Sequence, residues 1–139
     1  MYNVEKKYHF YAGHRNENLH DKCSNLHGHT YYITMQFEFN YNPKTGITFL
    51  FSDIDDVVDP IIKQLDHGLL IHNNDPLLKY LNDFMKTEKT SLKLTIMEDV
   101  TSAENLCKFI YNKVSEHLPI KKITLQETTS SIVTYEISN

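Results

Sequence analysis

The chain has 139 residues, which is enough to bury a hydrophobic core, and we expect residues 1–139 to form a single domain. Its formal net charge of −4 argues against the basic surface that nucleic-acid binding requires. No apolar run reaches the roughly 18 residues of a membrane-spanning helix, and the N-terminus lacks the apolar core of a signal peptide. Cys23 and Cys107 are the only cysteines and indicate no disulfide framework. These features predict a cytoplasmic protein without a nucleic-acid or membrane partner.

The first third of the chain predicts three antiparallel strands. Residues 2–12 and 27–39 alternate apolar and polar side chains, as half-buried strands do, and a polar loop over residues 13–26 separates them. A turn over residues 42–46 follows, because it contains proline and glycine in a polar setting. The third strand is predicted from the alternation of Ile47, Phe49 and Phe51.

Helical spacing of apolar residues begins after this third strand. The helix is predicted to start near Ser52 or Asp53, since either side chain can cap it. It is predicted to end around residues 66–68, with Gly68 as terminator. Pro60 lies inside the pattern and should kink or shorten the helix. The apolar face consists of Ile54, Val57, Val58, Ile61, Ile62 and Leu65.

The middle of the chain is less regular until a second clear helix begins. Residues 73–76 predict a loop, residues 77–85 a short amphipathic helix, and residues 92–96 a short strand. The sequence from Thr101 to Glu104 matches a capping box, with Thr101 as the cap and Glu104 reaching back. The apolar face of the helix that follows consists of Leu106, Cys107, Ile110, Tyr111, Val114 and Leu118.

Two final strands are predicted over residues 120–126 and 132–137, on either side of a polar turn at 128–131. The order strand, strand, strand, helix and then helix, strand, strand predicts an α+β fold.

Three histidines are spaced so that they could share one metal ion. His27 and His29 lie two residues apart on a predicted strand, so both side chains point to the same face. His14 shares the parity of the apolar residues of the first strand. If the two strands are neighbours, the three imidazoles meet at one buried point. Three neutral imidazoles leave a fourth position open, as catalytic zinc requires; the alternative is a set of hydrogen-bonded core histidines.

Cys23 lies in the polar loop four residues before His27, and two roles compete for it. It could be a fourth zinc ligand, which would close the site and make it structural. It could instead act beside the metal as a thiolate base or nucleophile, with its pKa lowered by nearby positive charge. Arg15 and Lys22 favour the second role. Cys107 lies on an apolar helix face and is predicted to be a packed core residue.

Two further groups have both a structural and a chemical interpretation. His67 follows Asp66 at the end of a helix, where the helix dipole alone favours a histidine; the alternative is a carboxylate-assisted histidine that transfers protons. Glu127 shares the parity of the inward residues Ile123 and Leu125 but also lies at a strand end near solvent. A buried carboxylate without a partner is costly, so an inward Glu127 would indicate a ligand that donates hydrogen bonds.

These residues occur in an order that resembles the 6-pyruvoyl-tetrahydropterin synthase / 6-carboxy-tetrahydropterin synthase family. The short spacing between Cys23 and His27 is similar to the bacterial 6-carboxy branch, whereas the pyruvoyl branch typically has a longer gap. The resemblance covers nearly the whole chain, and its motifs are Phe10-Tyr11-Ala12-Gly13-His14, Cys23-Ser24-Asn25-Leu26-His27-Gly28-His29, Gly46 to Asp53, Leu65-Asp66-His67, Ser102-Ala103-Glu104-Asn105 and Gln126-Glu127-Thr128.

The resemblance implies a tunnelling fold, in which a four-stranded antiparallel sheet carries two helices on one face. It implies homo-oligomers built from trimeric barrels that pair into hexamers, with active sites between subunits. It also assigns roles to residues: Zn²⁺ ligands, a catalytic base, acid/base partners and a pterin anchor. The Zn²⁺ ligands are His14, His27 and His29, and the catalytic base is Cys23. The acid/base partners are Asp66 and His67, and the pterin anchor is Glu127.

The implied reaction is that of a carbon–carbon lyase of queuosine or 7-deazaguanine biosynthesis. It converts 7,8-dihydroneopterin triphosphate to 6-carboxy-5,6,7,8-tetrahydropterin and releases acetaldehyde and triphosphate. Arg15 and Lys22 could bind the triphosphate or could be solvated loop charges. Alternatives are 6-pyruvoyl-tetrahydropterin synthesis by triphosphate elimination alone, a non-catalytic zinc- or pterin-binding module, and a metal-dependent hydrolase. Residues 72–91 look longer than in compact relatives and Asp99-Val100-Thr101-Ser102 departs from the usual motif, which affects substrate details rather than the metal site.

Overall fold

The computed structural model describes residues 1–137, in which a six-stranded sheet carries three α-helices. A short 3₁₀ turn over Lys22–Ser24 interrupts the loop between the first two strands. The elements in chain order are β1 (Tyr2–His14), β2 (His27–Phe39), α1 (Phe51–Leu65), β3 (Gly68–His72), α2 (Leu77–Glu88), β4 (Leu94–Met97), α3 (Ala103–Ser115), β5 (Ile120–Gln126) and β6 (Ile132–Glu136).

The sheet is mixed, with the strand order β4-β3-β1-β2-β5-β6. Strands β1, β2, β5 and β6 pair antiparallel, whereas β3 and β4 extend the sheet in parallel from the β1 side. The predicted α+β class is therefore correct, but the predicted sheet of four antiparallel strands is too small. Strand β3 was missed because it follows α1 directly and is only five residues long, so it has little room for a periodic signal.

The core lies between one face of the sheet and helices α1 and α3. Every second side chain is buried from Tyr31 to Phe39 on β2 and from Phe10 to His14 at the end of β1. Helix α2 contributes no buried residue, so two helices, as predicted, supply the core. The largest fully buried side chains are Tyr31, Phe10, Phe37, Ile33, Met35, Ile54, Leu65, Leu70, Leu106, Ile110, Ile123 and Leu125.

The predicted third strand over Ile47, Phe49 and Phe51 is wrong. Ile47 makes only an isolated bridge to Asn42, and α1 already begins at Phe51. The alternation arose from packing, because the ring of Phe49 stacks on that of Phe39 with centroids 4.6 Å apart. Neither Ser52 nor Asp53 caps α1, since the N-cap is Leu50 without a side-chain hydrogen bond.

The ends of α1 and α3 also differ from prediction. Pro60 does not shorten α1, which continues to Leu65. His67, rather than Gly68, takes the left-handed conformation after the helix, with φ of 59°. The cap of α3 is Ser102, whose Oγ accepts from the backbone N–H of Asn105 at 3.2 Å, because Thr101 is buried and used elsewhere.

Candidate metal centre and active site

The pairing of β1 with β2 brings the three predicted histidines together. His14 lies opposite His27 in the antiparallel register, and Ala12 lies opposite His29. The ring centroids are 4.6 Å apart for His14 and His27, 5.2 Å for His14 and His29, and 4.9 Å for His27 and His29. The predicted convergence of three imidazoles is therefore correct.

Backbone carbonyls orient two of these rings. The Nδ1–H of His14 donates to the carbonyl of Thr101 at 2.7 Å, and that of His27 donates to the carbonyl of Asn25 at 2.7 Å. In these tautomers each Nε2 keeps a free lone pair, which is the arrangement found in metal-binding histidines. Thr101 was predicted to cap a helix, but it is fully buried. Its hydroxyl donates instead to the carbonyl of Arg15 at 3.1 Å. Thr101 thus holds the first metal-binding candidate in place.

Glu127 completes a cluster of four possible ligands. Its Oε1 lies 2.8 Å from Nε2 of His29 and 3.7 Å from Nε2 of His14. One ligand atom from each of the four residues lies within 4.8 Å of all the others. Of the two predicted orientations of Glu127, the inward one is correct, since its side chain is 21% exposed.

The chemistry of this cluster fits a divalent metal. The Nε2 atoms of His14 and His29 are buried and have no hydrogen-bond partner among the described residues. Buried polar atoms are nearly always paired, so two unpaired lone pairs at one point indicate a ligand. A set of imidazole nitrogens with a carboxylate oxygen suits zinc, although other divalent metals accept the same donors.

The local electrostatics favour the neutral form of two of the three imidazoles, those of His14 and His29. Burial lowers the pKa of His14 to about 4, with His27 and His29 adding to the shift and the Thr101 carbonyl opposing it. Burial also lowers the pKa of His29, against the opposing effect of Glu127. Neutral imidazole is the form that binds metals, so His14 and His29 are prepared for metal binding at neutral pH.

Cys23 lies beside the cluster but is not one of its four members. The 3₁₀ turn carries it, and the Asp21 carboxylate accepts from its backbone N–H at 2.8 Å. The predicted lowering of its pKa is not found with the protein groups alone. Partial burial and then Asp21 raise the pKa of the thiol, and only Lys22 acts in the predicted direction. Cys107 is buried in the core, as predicted.

Arg15 does not lower the pKa of Cys23 because it is paired with Asp75. Its Nε and Nη2 donate to the two carboxylate oxygens at 2.8 and 2.7 Å, and Nη1 donates to the carbonyl of Ser24 at 3.3 Å. Asp75 also accepts from the backbone N–H of Leu77 at 2.9 Å. Arg15 therefore fastens the Cys23 loop to the start of α2 and is not merely a solvated loop charge, whereas its role in triphosphate binding stays a prediction. Asp75 precedes Pro76 and a helix, a capping signal that could have revealed it.

Replacing Asp75 with asparagine is expected to lower the free energy of unfolding by about 2 kcal/mol at pH 7, because a buried charge-assisted pair is lost. Hydrogen bonding from Arg15 lowers the pKa of Asp75, so this stabilisation is present above about pH 4 and declines as the pH falls through the lowered pKa. Urea unfolding at pH 7 and pH 3 measures both effects. The exposed Asp83→Asn is the control; equal stability of the two variants at pH 7 would contradict the prediction.

Asp66 and His67 form a hydrogen-bonded pair at the end of α1. Oδ2 of Asp66 accepts from Nδ1 of His67 at 2.8 Å, while Oδ1 accepts from the backbone N–H of Tyr11 at 2.9 Å. The Tyr11 N–H, and then His67, lower the pKa of Asp66. A carbonyl in the last turn of α1 is bound by Lys93 rather than by His67, since Nζ of Lys93 donates to the carbonyl of Lys63 at 2.6 Å. The Asp66 carboxylate therefore orients the His67 ring, and the proton-transfer role of the pair stays a prediction.

Two clefts meet at residues 28–30 beside the histidine cluster. One, of about 440 Å³, is lined on its far side by Tyr11, His67 and Gly68. The other, of about 480 Å³, is lined on its far side by Tyr32 and residues 126–129. His29 borders both clefts. The structure thus brings His67 and Glu127 to opposite sides of the end of β2, with the metal-ligand candidates between them.

Comparison with known proteins agrees with the resemblance drawn from the motifs. Residues 3–138 match the family model of 6-pyruvoyl tetrahydropterin synthase. The chain belongs to this family. A relative from Haemophilus influenzae named 6-carboxy-5,6,7,8-tetrahydropterin synthase is 27% identical, covering 98% of this chain and 99% of its own. A 6-pyruvoyl tetrahydrobiopterin synthase from Pongo abelii is 28% identical, covering 91% of this chain and 79% of its own.

Solved structures share the fold at lower sequence identity. A 6-pyruvoyl tetrahydropterin synthase from Caenorhabditis elegans superposes with a TM-score of 0.69 at 22% identity, covering 99% of this chain and 96% of its own. An uncharacterised protein from Wolinella succinogenes superposes with a TM-score of 0.82 at 16% identity, covering 99% and 98%. Among residues 1–137, no helix is long and apolar enough to cross a membrane. The prediction of an enzyme of the pterin synthase type is confirmed.

Proposed function

We propose that this protein is a zinc-dependent lyase that consumes one water molecule to convert 7,8-dihydroneopterin triphosphate to 6-carboxy-5,6,7,8-tetrahydropterin. Acetaldehyde and triphosphate are released. The observation that carries the proposal is the cluster of His14, His27, His29 and Glu127, of which His29 borders two clefts and Glu127 one, with His67 lining the other cleft. Bacterial relatives from Haemophilus influenzae and Aquifex aeolicus with names of this activity support it.

In this proposal the three histidines hold the zinc ion through Nε2. When bound, zinc supplies Lewis-acid stabilisation of negative charge that develops on the substrate side chain. The neutral state of His14 and His29 supports this assignment, because no proton has to leave these rings before the metal enters.

The remaining residues move protons and position the ring. Cys23 acts as the base that removes a proton from the substrate side chain and holds it on Sγ. His67 returns protons, with its tautomer set by the hydrogen bond of 2.8 Å to Asp66. Glu127 accepts hydrogen bonds from the ring nitrogen and amino group of the pterin and so holds the side chain over the metal. The raised pKa of Cys23 means that its thiol depends on positive charge in the loaded site to ionise.

The proposal includes a place in queuosine or 7-deazaguanine biosynthesis and a cytoplasmic location, where Cys23 stays reduced. It also includes a homo-oligomer. The outer strands β4 and β6 support this, since each carries an exposed apolar side chain, Ile96 at 52% and Ile132 at 59%. Unpaired strand edges with exposed apolar residues favour pairing with another chain. Light scattering on the purified protein measures the assembly.

The test is anaerobic incubation of zinc-loaded protein with 7,8-dihydroneopterin triphosphate, followed by mass spectrometry of the products. The proposal predicts acetaldehyde together with 6-carboxy-5,6,7,8-tetrahydropterin. A 6-pyruvoyl product without acetaldehyde would assign the sister activity, which the relative from Pongo abelii carries in its name. Zinc-loaded protein that forms neither product would indicate a binding module instead.

A further inference from the structure

We infer that Glu127 is a fourth metal ligand in the substrate-free protein and that it leaves the metal when a pterin ring binds. The first half of this inference rests on the described geometry alone. The second half rests on the proposed function, because it takes the ligand of the cleft to be a pterin. Cys23, the other residue considered as a fourth ligand, lies outside the four-residue cluster.

The position of the Glu127 carboxylate supports the first half. Oε1 lies 2.8 Å from Nε2 of His29, yet this Nε2 has no hydrogen-bond partner of acceptable geometry. Two such atoms are held together at this distance by a proton or by a metal ion, and we infer a metal ion because the contact does not have the geometry of a hydrogen bond and three imidazoles meet there. Ligand atoms of a tetrahedral zinc site lie about 3.3 Å apart when the bonds measure about 2.0–2.1 Å. The distances of 2.8 and 3.7 Å from Oε1 to His29 and His14 bracket this value.

The same carboxylate borders the space that a ligand would enter. Glu127 follows the last residue of β5, and its backbone N–H donates to the carbonyl of Ser131 at 3.2 Å, which holds the turn in place. It lines the cleft of about 480 Å³ together with Gln126, Thr128 and Thr129. The Glu127 side chain therefore contacts the imidazole cluster and borders this cleft beside His29.

The two uses of Glu127 exclude each other. A pterin ring presents two neighbouring N–H donors, and a carboxylate recognises such a pair with both of its oxygens. A carboxylate whose Oε1 is bound to a metal has only one free oxygen. Recognition of the ring by both free oxygens would therefore detach Glu127 from a bound metal and free one ligand position for the substrate side chain. Because linkage is reciprocal, the ring and the metal weaken each other's binding by the same factor.

The experiment uses Co²⁺ in place of zinc, because its visible absorption reports the number and type of its ligands. The probe is pterin itself, which has the ring but no side chain to react. In the full-length protein we expect pterin to change the Co²⁺ spectrum and to weaken Co²⁺ binding, measured by competition with a chelator, about tenfold or more. Glu127→Gln is expected to bind Co²⁺ about tenfold or more weakly and to show a spectrum that pterin does not change. Glu136→Gln, on an exposed position of β6, is the matched control.

Three results would overturn all or part of the inference. The first is a Glu127→Gln protein with the Co²⁺ affinity and spectrum of the unaltered chain. The second is pterin that binds the Co²⁺ protein, as followed by its fluorescence, without any effect on the spectrum or the metal affinity. Pterin that binds neither the metal-free nor the Co²⁺ protein would overturn the exchange. None of these readouts needs turnover, so a failed product assay with a positive Co²⁺ result would refute the proposed reaction and leave Glu127 as a ligand.

Discussion

Replacing Cys23 with alanine is expected to lower the rate of product formation by about 10²–10⁴-fold, the range associated with loss of a general base. The metal content should stay unchanged, because Cys23 is outside the four-residue cluster. Folding should be little affected, since the 3₁₀ turn is held through the backbone of Cys23: its N–H donates to Asp21 and its carbonyl accepts from Asn16. Product formation and bound zinc, measured on the same preparation, check both parts.

The second cysteine of the chain provides the matched control. Cys107 is 1% exposed and packs in the core, so Cys107→Ala should lower the free energy of unfolding by about 1 kcal/mol and leave the rate unchanged. A Cys23→Ala protein that keeps full activity would show that another group removes the proton. Loss of zinc from this variant would instead assign Cys23 as a metal ligand, which is the structural alternative derived from the sequence.

Replacing His27 with glutamine is expected to weaken zinc binding by more than about 100-fold and to abolish detectable product formation, because one of three imidazole ligands is removed. His27 is a better test than His14. It is only half-buried, whereas His14 is fully buried and its loss would leave the carbonyl of Thr101 without a partner. Chelator competition measures zinc affinity, and thermal unfolding of the metal-free protein shows whether the variant is folded.

His20→Gln is the matched control for His27, because His20 is exposed in the same loop region and belongs to no cluster of possible ligands. It should bind zinc and form product like the unaltered protein. If His27→Gln retained zinc and activity, the metal site built on the end of β1 and β2 would be wrong. Loss of activity with retained zinc would place His27 in substrate binding instead.

Local sequence patterns predicted the strands and helices correctly where neighbouring residues alone determine the structure. The parity of His14, His27 and His29 follows from strand geometry, which repeats every two residues and needs no knowledge of the rest of the chain. The boundaries of β2 and β5 agree with the predicted ranges 27–39 and 120–126 for the same reason. The short helix predicted over 77–85 is also present, as α2, but extends to Glu88.

Local sequence patterns did not predict the structure correctly where two local structures are compatible with the same sequence. Thr101 and Ser102 are both good caps, and only the contact of Thr101 with His14 and Arg15 decides that Ser102 caps α3. The alternation at residues 47–51 is compatible with a strand, but Phe49 packs on Phe39 and the helix begins earlier than predicted. Strand β3 pairs in parallel with β1 and β4, so its partners are distant in sequence.

The sequence by itself determined which residues are candidates for the site: three histidines of matching parity, a nearby cysteine, an Asp–His pair and a glutamate at a strand end. It also determined the family, because these motifs span the whole chain in a fixed order. These features are properties of short segments, and strand periodicity is enough to orient their side chains.

Only the tertiary structure decided which residues of the site contact one another. The register of β1 against β2 sets His14 opposite His27, and the pairing of β2 with β5 carries Glu127 to the imidazoles from the far end of the chain. Arg15 is paired with Asp75, 60 residues away, and does not contribute to the pKa of Cys23 as the sequence suggested. Electrostatic energies depend on distances and burial, which a linear pattern does not contain.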